Sequence, residues 1–146
     1  MVTGGSGFIG SAVIRSLVAE QYAQIVNIDI LTYAGNEATL VNEARYPGYK
    51  HEEADIRDAQ AMRSLIKEHQ PDAIMHLAAE SHVDRSIENP GDFIQTNIVG
   101  TYNLLEACRL SWYSNENQNR LLHVSTDEVF GSLGSSGYFH ESTPYA

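Results

Sequence analysis

Three observations in the 146-residue sequence predict an α/β fold built on a doubly wound parallel sheet. Apolar runs of strand length alternate with longer stretches whose apolar residues recur at helical spacing, with no internal repeat. The first run ends in Thr3-Gly-Gly-Ser-Gly-Phe-Ile-Gly10, a glycine-rich turn that opens a helix. An acidic residue, Asp29, closes the second run roughly 20 residues beyond those glycines.

The elements follow in order. After the first short strand, Ile9, Val13 and Leu17, four apart, give the first helix one face to bury. Residues 24–29 read as a buried parallel strand, 37–45 as a short helix after a loop at 32–36, and 49–55 as a third, more polar strand. Asp58 starts a helix with Met62, Leu65, Ile66 and His69 on one stripe, closed by Pro71. Residues 73–78 form the fourth strand. Pro90 opens a long helix to about Trp112 with Ile94, Ile98, Leu105 and Cys108 on one side, and residues 120–125 form the fifth strand. Residues 131–146 turn to Gly, Ser and Pro with Tyr and Phe interspersed, the composition of a loop and an open binding edge. Such an alternation implies helices on both faces, right-handed crossovers and a ligand crevice at the strand C-terminal ends.

Only Met1 and Val2 precede Thr3, short for a central strand, and Ala146 falls in a loop. The expectation is one partial domain over residues 1–146, truncated at both ends. Nine basic residues against 19 acidic give a net charge of -10, which argues against nucleic-acid and anionic-membrane surfaces. Cys108, the single cysteine, supports neither a disulfide framework nor a thiolate metal cluster and reads as core. No run is long enough for a membrane span and the first residues lack a signal layout, so the expected location is cytoplasmic.

Gly4, Gly7 and Gly10 have the spacing that seats a dinucleotide pyrophosphate against a helix N-terminus: one for the tight turn, one for backbone approach to phosphate, one for helix packing. Asp29 is placed to accept hydrogen bonds from the adenosine ribose, or else only to cap its own turn. Its carboxylate would repel a 2′-phosphate, and Ile30, Leu31 and Thr32 bring no cation to hold one, so the expected cofactor is NAD rather than NADP. Together these features describe a Rossmann-like NAD-binding domain. Asp55 and Ile56 could flank the adenine. The small residues of Leu77-Ala-Ala-Glu-Ser81 permit either ligand approach or close packing. His76, Glu80 and His82 lack the spacing of a helical zinc motif, so no metal site is expected. Ser125-Thr-Asp-Glu128 brings a hydroxyl and two neighbouring carboxylates to a strand end, where they are expected to face the crevice and one can stay protonated as an acid while the other acts as a base. An exposed acidic turn N-capped by Thr126 is the alternative.

Beyond these local readings, the chain resembles the extended short-chain dehydrogenase/reductase superfamily and, within it, the dTDP-glucose 4,6-dehydratases. The resemblance runs through residues 3–10, Asp29-Ile-Leu-Thr-Tyr-Ala-Gly-Asn36, His76-Leu-Ala-Ala-Glu-Ser-His-Val-Asp-Arg-Ser86, Thr96-Asn-Ile-Val-Gly-Thr101 and Ser125-Thr-Asp-Glu-Val-Phe-Gly131. It implies a lyase that dehydrates a nucleotide-linked hexose through an internal redox cycle on NAD. Glu128 would remove the sugar C5 proton, Asp127 would protonate the departing C6 hydroxyl, and Thr126 would hydrogen-bond the sugar near C4. Ser81 would contact substrate, while Phe8, Ile9, residues 29–32, Asp55, Ile56, residues 77–81 and Thr96 would line the NAD site. The family's Tyr-x-x-x-Lys pair lies on a helix beyond Ala146, since Tyr145 has no lysine after it, and its C-terminal substrate lobe lies beyond as well. This stretch alone is therefore expected to turn over poorly or not at all. A homodimer is implied for the full-length family member, with 90–112 as one of two bundle helices. Ile30 replaces a common lysine and Phe130 a usual tyrosine. A nucleotide-sugar epimerase or decarboxylase on the same scaffold, or a non-catalytic NAD-binding module, is the competing expectation. The epimerase and decarboxylase need no acid–base pair at C6.

Overall fold

The structure, a computed structural model, describes residues 1–22, 24–113 and 118–146, apart from the side chains of Val83 and Arg85. Five parallel strands form one sheet in the order β3-β2-β1-β4-β5: β1 (Val2–Thr3), β2 (Ile25–Asp29), β3 (Tyr49–Glu53), β4 (Ala73–His76) and β5 (Arg120–His123). The order reverses at β1. From there the chain first builds outward through β2 and β3, then returns to add β4 and β5 on the other side, so the crevice outside the end of β1 is the switch point at which such sheets bind ligands.

Side-chain alternation along the strands sends successive residues to opposite faces. On one face Val26, Ile28 and Ile74 pack with Met62 and Ile66 of α2 (Ala59–His69) and with Leu104, Ala107 and Cys108 of α5 (Thr101–Trp112). On the other face Val2 and Ile25 meet Ile14 of α1 (Phe8–Ala19) and Leu40. Helices therefore cover both faces. Asp58 caps α2 by accepting from the Gln60 and Ala61 amides, and Gln70 in a left-handed conformation ends it before Pro71. Burial pushes the Cys108 thiol up to about 12, so it is an inert part of the core.

Several expectations are corrected. α1 buries Gly10, Ser11 and Ile14, whereas Ile9 is exposed and Val13 and Leu17 only flank the core. The packed glycine at position 10 turns that side of the helix inward. Residues 37–45 form two short 3-10 turns, Glu37–Leu40 and Glu43–Arg45. Strands β3, β4 and β5 end two residues earlier than expected, and α3 (Val83–Glu88) occupies a stretch to which no element was assigned. Residues 90–112 are α4 (Pro90–Phe93), a π-helical segment Ile94–Gly100 and α5. Cys108 faces the core, but Ile94, Ile98 and Leu105 are exposed. The wide π turns shift the angular phase that a uniform 3.6-residue count assumes. Among the described residues no helix is long and apolar enough to cross a membrane.

Candidate functional site

β1 runs straight into the glycine turn, which the two flanking strands fix in place. The Gly4 amide donates to the Ile28 carbonyl at 2.8 Å, and the Leu77 amide donates to Thr3. Gly4 has φ +71°, and a Cβ there would lie 2.6 Å from the Ala78 nitrogen. Both the turn and the neighbouring loop therefore require glycine. At Gly10 a Cβ would run into the Gly4 carbonyl, whereas at Gly7 it would meet only that carbonyl oxygen at 3.3 Å. Gly10 lets α1 start tight against the turn, and Gly7 leaves the side facing the crevice bare.

Over this turn opens a cavity of about 740 Å³, within the usual size of cofactor sites. The sequence-derived residues Gly4, Gly7, Phe8, Ile9, Gly10, Asp29, Ile30, Thr32, Asp55, Ile56, Leu77, Ala78, Ala79, Glu80, Ser81 and Thr96 all line it. Leu31 does not. It takes a left-handed φ of 56° and turns its amide back to Asp29.

Asp29 is buried at the end of β2 and does cap its turn: Oδ1 accepts from the Leu31 amide at 2.8 Å, and Oδ2 accepts from the Ser6 amide at 2.9 Å. A carboxylate offers about four acceptor positions, so two remain for a ribose diol. The capping and ribose-binding readings are thus compatible. Asp55 holds Arg57 by contacts of 2.7 and 2.6 Å to Nε and a terminal nitrogen. Burial alone would push the Asp55 carboxyl up, but the Arg57 guanidinium and amide outweigh it and hold the group below its ordinary value.

Thr126, Asp127 and Glu128 lie outside the cavity lining. β5 ends at His123, Val124 reaches the cavity, and the chain then turns into a 3-10 segment, Asp127–Phe130. Thr126 caps that segment by accepting from the Glu128 amide at 3.2 Å, and all three residues are exposed. The Thr126 hydroxyl lies 3.4 Å from Asp127 Oδ1. The acid pair thus does not face the crevice as its strand-end position predicts: the chain forms the alternative, an exposed acidic turn N-capped by Thr126, because it turns away into the 3-10 segment after Val124. His76 is buried between the Thr3 and Thr101 hydroxyls and His82 is exposed.

Tyr33, Ala34, Gly35, Arg57, Asp92 and Val124 also line the cavity, and sequence reasoning did not assign them. Two asparagines outside that lining hold its walls. Asn97 accepts from the Glu80 amide and donates to the Glu80 carbonyl, both at 2.8 Å, while Asn103 donates to the Ile56 and Arg57 carbonyls. Gly100 lets the helix lie on Ile56, where a Cβ would come within 2.7 Å. A glycine and two asparagines in an otherwise helical stretch were the available signal.

Comparisons with known proteins bear on the fold and the family. The chain is 51% identical over its whole length to a dTDP-glucose 4,6-dehydratase of Neisseria meningitidis and covers 42% of that protein. It is 55% identical over 91% of its length to dTDP-glucose 4,6-dehydratase 1 of Escherichia coli, covering 38% of it. The chain therefore spans about two fifths of these relatives. Among solved structures, DesIV, a dTDP-glucose 4,6-dehydratase of Streptomyces venezuelae with NAD bound, superposes with a TM-score of 0.87 at 43% identity, over 99% of this chain and 44% of that one. A Thermus thermophilus UDP-glucose 4-epimerase in complex with NAD superposes at 0.83 with 29% identity, over 99% and 43%. The profile of one family, described as GDP-mannose 4,6 dehydratase, matches residues 1–146 from end to end, and the chain belongs to that family.

Proposed function

We propose that this chain carries the coenzyme site and the acid–base residues of an NAD-dependent nucleotide-sugar 4,6-dehydratase acting on dTDP-glucose to give dTDP-4-keto-6-deoxyglucose. The observation that carries the reading is the glycine cradle at Gly4, Gly7 and Gly10 facing the half-satisfied carboxylate of Asp29 across one cavity. The N-terminus of α1 directs its free amides and positive dipole end toward a pyrophosphate laid on the turn. Asp29 accepts from the ribose hydroxyls, and no lysine or arginine at residues 30–32 offers a place for a 2′-phosphate. Bound there, NAD supplies a reversible hydride acceptor next to the sugar.

The sugar chemistry belongs to the residues at the end of β5. Glu128 as carboxylate takes the C5 proton, and Asp127 as carboxylic acid gives its proton to the C6 hydroxyl, which leaves as water. Thr126 holds the sugar near C4 and Ser81 contacts it from the β4 loop. The names of the curated relatives support the substrate. The exposed apolar side chains Ile94, Ile98, Tyr102 and Leu105 along 94–105 support a homodimer, and a single cysteine with no disulfide framework supports a cytoplasmic setting.

Assay of the natural protein with dTDP-glucose tests this directly. Asp127→Asn and Glu128→Gln should cut elimination by about 100-fold or more while leaving single-turnover NAD reduction nearly intact. Equal loss of both steps removes the assigned roles, and turnover of UDP-glucose with no elimination product replaces the dehydratase with an epimerase.

A further inference from the structure

Because β1 lies between β2 and β4, the loops leaving those two strands form opposite walls of the cavity above the glycine turn. Each wall is anchored at its base. The wall after β2 is tied to the turn by the Asn36 amide, which donates to the Ser6 carbonyl at 2.9 Å, and by the Ser6 amide on Asp29. The wall after β4 is fixed by Asn97, whose side chain takes both the amide and the carbonyl of Glu80. Between the walls, the Tyr33 hydroxyl donates to Glu80 Oε2 at 3.1 Å, although the two residues are 47 apart in sequence. Tyr33 is 54% exposed, so this bond sits at the mouth and not in the floor.

We infer that the Tyr33–Glu80 bond is a strap across the cavity mouth that closes over a bound dinucleotide and opens to let it pass. The inference rests on the reading of this cavity as the NAD site. Floor, walls and strap enclose the space above the glycine turn. With the Glu80 main chain clamped by Asn97, opening falls to the side chains of Tyr33 and Glu80. A strap present with and without ligand has a kinetic signature. Entry and exit both scale with the open fraction, so removing the bond speeds both and leaves the dissociation constant almost unchanged. A side chain that instead contacts the ligand changes mainly the exit rate, and affinity with it.

Stopped-flow binding of NADH to the natural protein separates these cases. Tyr33→Phe removes one exposed hydroxyl and should accelerate association and dissociation alike by about fivefold, the factor expected for one hydrogen bond of ordinary net strength. The dissociation constant should move by less than about twofold. Glu80→Ala should accelerate association by the same factor, and combining it with Tyr33→Phe should accelerate association no further. Unchanged rates, faster exit without faster entry, or additive effects of the two substitutions would each overturn the strap. Failure of the unaltered protein to bind NADH would instead remove the coenzyme reading on which it depends.

Discussion

His76 links the cavity floor to the helical layer. Its Nδ1 lies 2.6 Å from the Thr3 hydroxyl and its Nε2 lies 3.0 Å from the Thr101 hydroxyl, so one imidazole joins the last residue before Gly4 to the start of α5. The ring is 1% exposed and stacks on His123 with centroids 5.0 Å apart. Burial, reinforced by the nearby His123, pushes its pKa from 6.5 down to about 4. The unfolded chain therefore takes up this proton near pH 6.5, whereas the folded protein resists it until about pH 4. The contribution of neutral His76 to stability is full above pH 6.5 and is lost as pH falls through that window, by up to about 3 kcal/mol. Thermal melts from pH 7 to pH 4 should show this decline, and His76→Gln should flatten it. An identical slope in the variant would show that other groups carry the acid sensitivity.

At the scale of elements, α2 and the 90–112 stretch respond to substitution in opposite ways. Ile66 is fully buried between the sheet and α5, so Ile66→Ala should cost about 2–5 kcal/mol in denaturant unfolding through the cavity it leaves. Ile98 is 63% exposed, in line with Ile94 and Tyr102. Ile98→Glu should leave the melting temperature of the monomer nearly unchanged and weaken self-association, read by sedimentation. An unaffected dimer would move the interface elsewhere. Much of this level was legible in the sequence. The α2 stripe of Met62 and Ile66 lies where the spacing puts it, because α2 is a regular helix capped at both ends. The 90–112 stretch was legible as helix but not in its facing, because its Ile94–Gly100 segment, from which Asn97 and Gly100 serve the cavity walls, is π-helical and shifts the phase of the turns. Likewise, Ile9 occupies an apolar helical position yet lines the cavity.

For the molecule as a whole, the glycine spacing and Asp29 located the crevice, since the switch point of a parallel sheet follows from strand order. The walls were less legible. Tyr33 and Glu80 meet only after β2 and β4 have been placed on either side of β1, and no local pattern encodes that meeting. The acid pair at Asp127 and Glu128 is recognisable by type, while its exposure outside the cavity lining depends on how the chain turns after β5. The central claim concerns the cavity itself, namely that the cradle and Asp29 select NAD. Isothermal titration of the natural protein with NAD and NADP, repeated on Asp29→Ala, tests it most directly. The account predicts that NAD binds, that NADP binds at least about tenfold more weakly, and that this preference collapses in the variant. Equal affinity for the two dinucleotides, or a preference that survives loss of the Asp29 carboxylate, would contradict it.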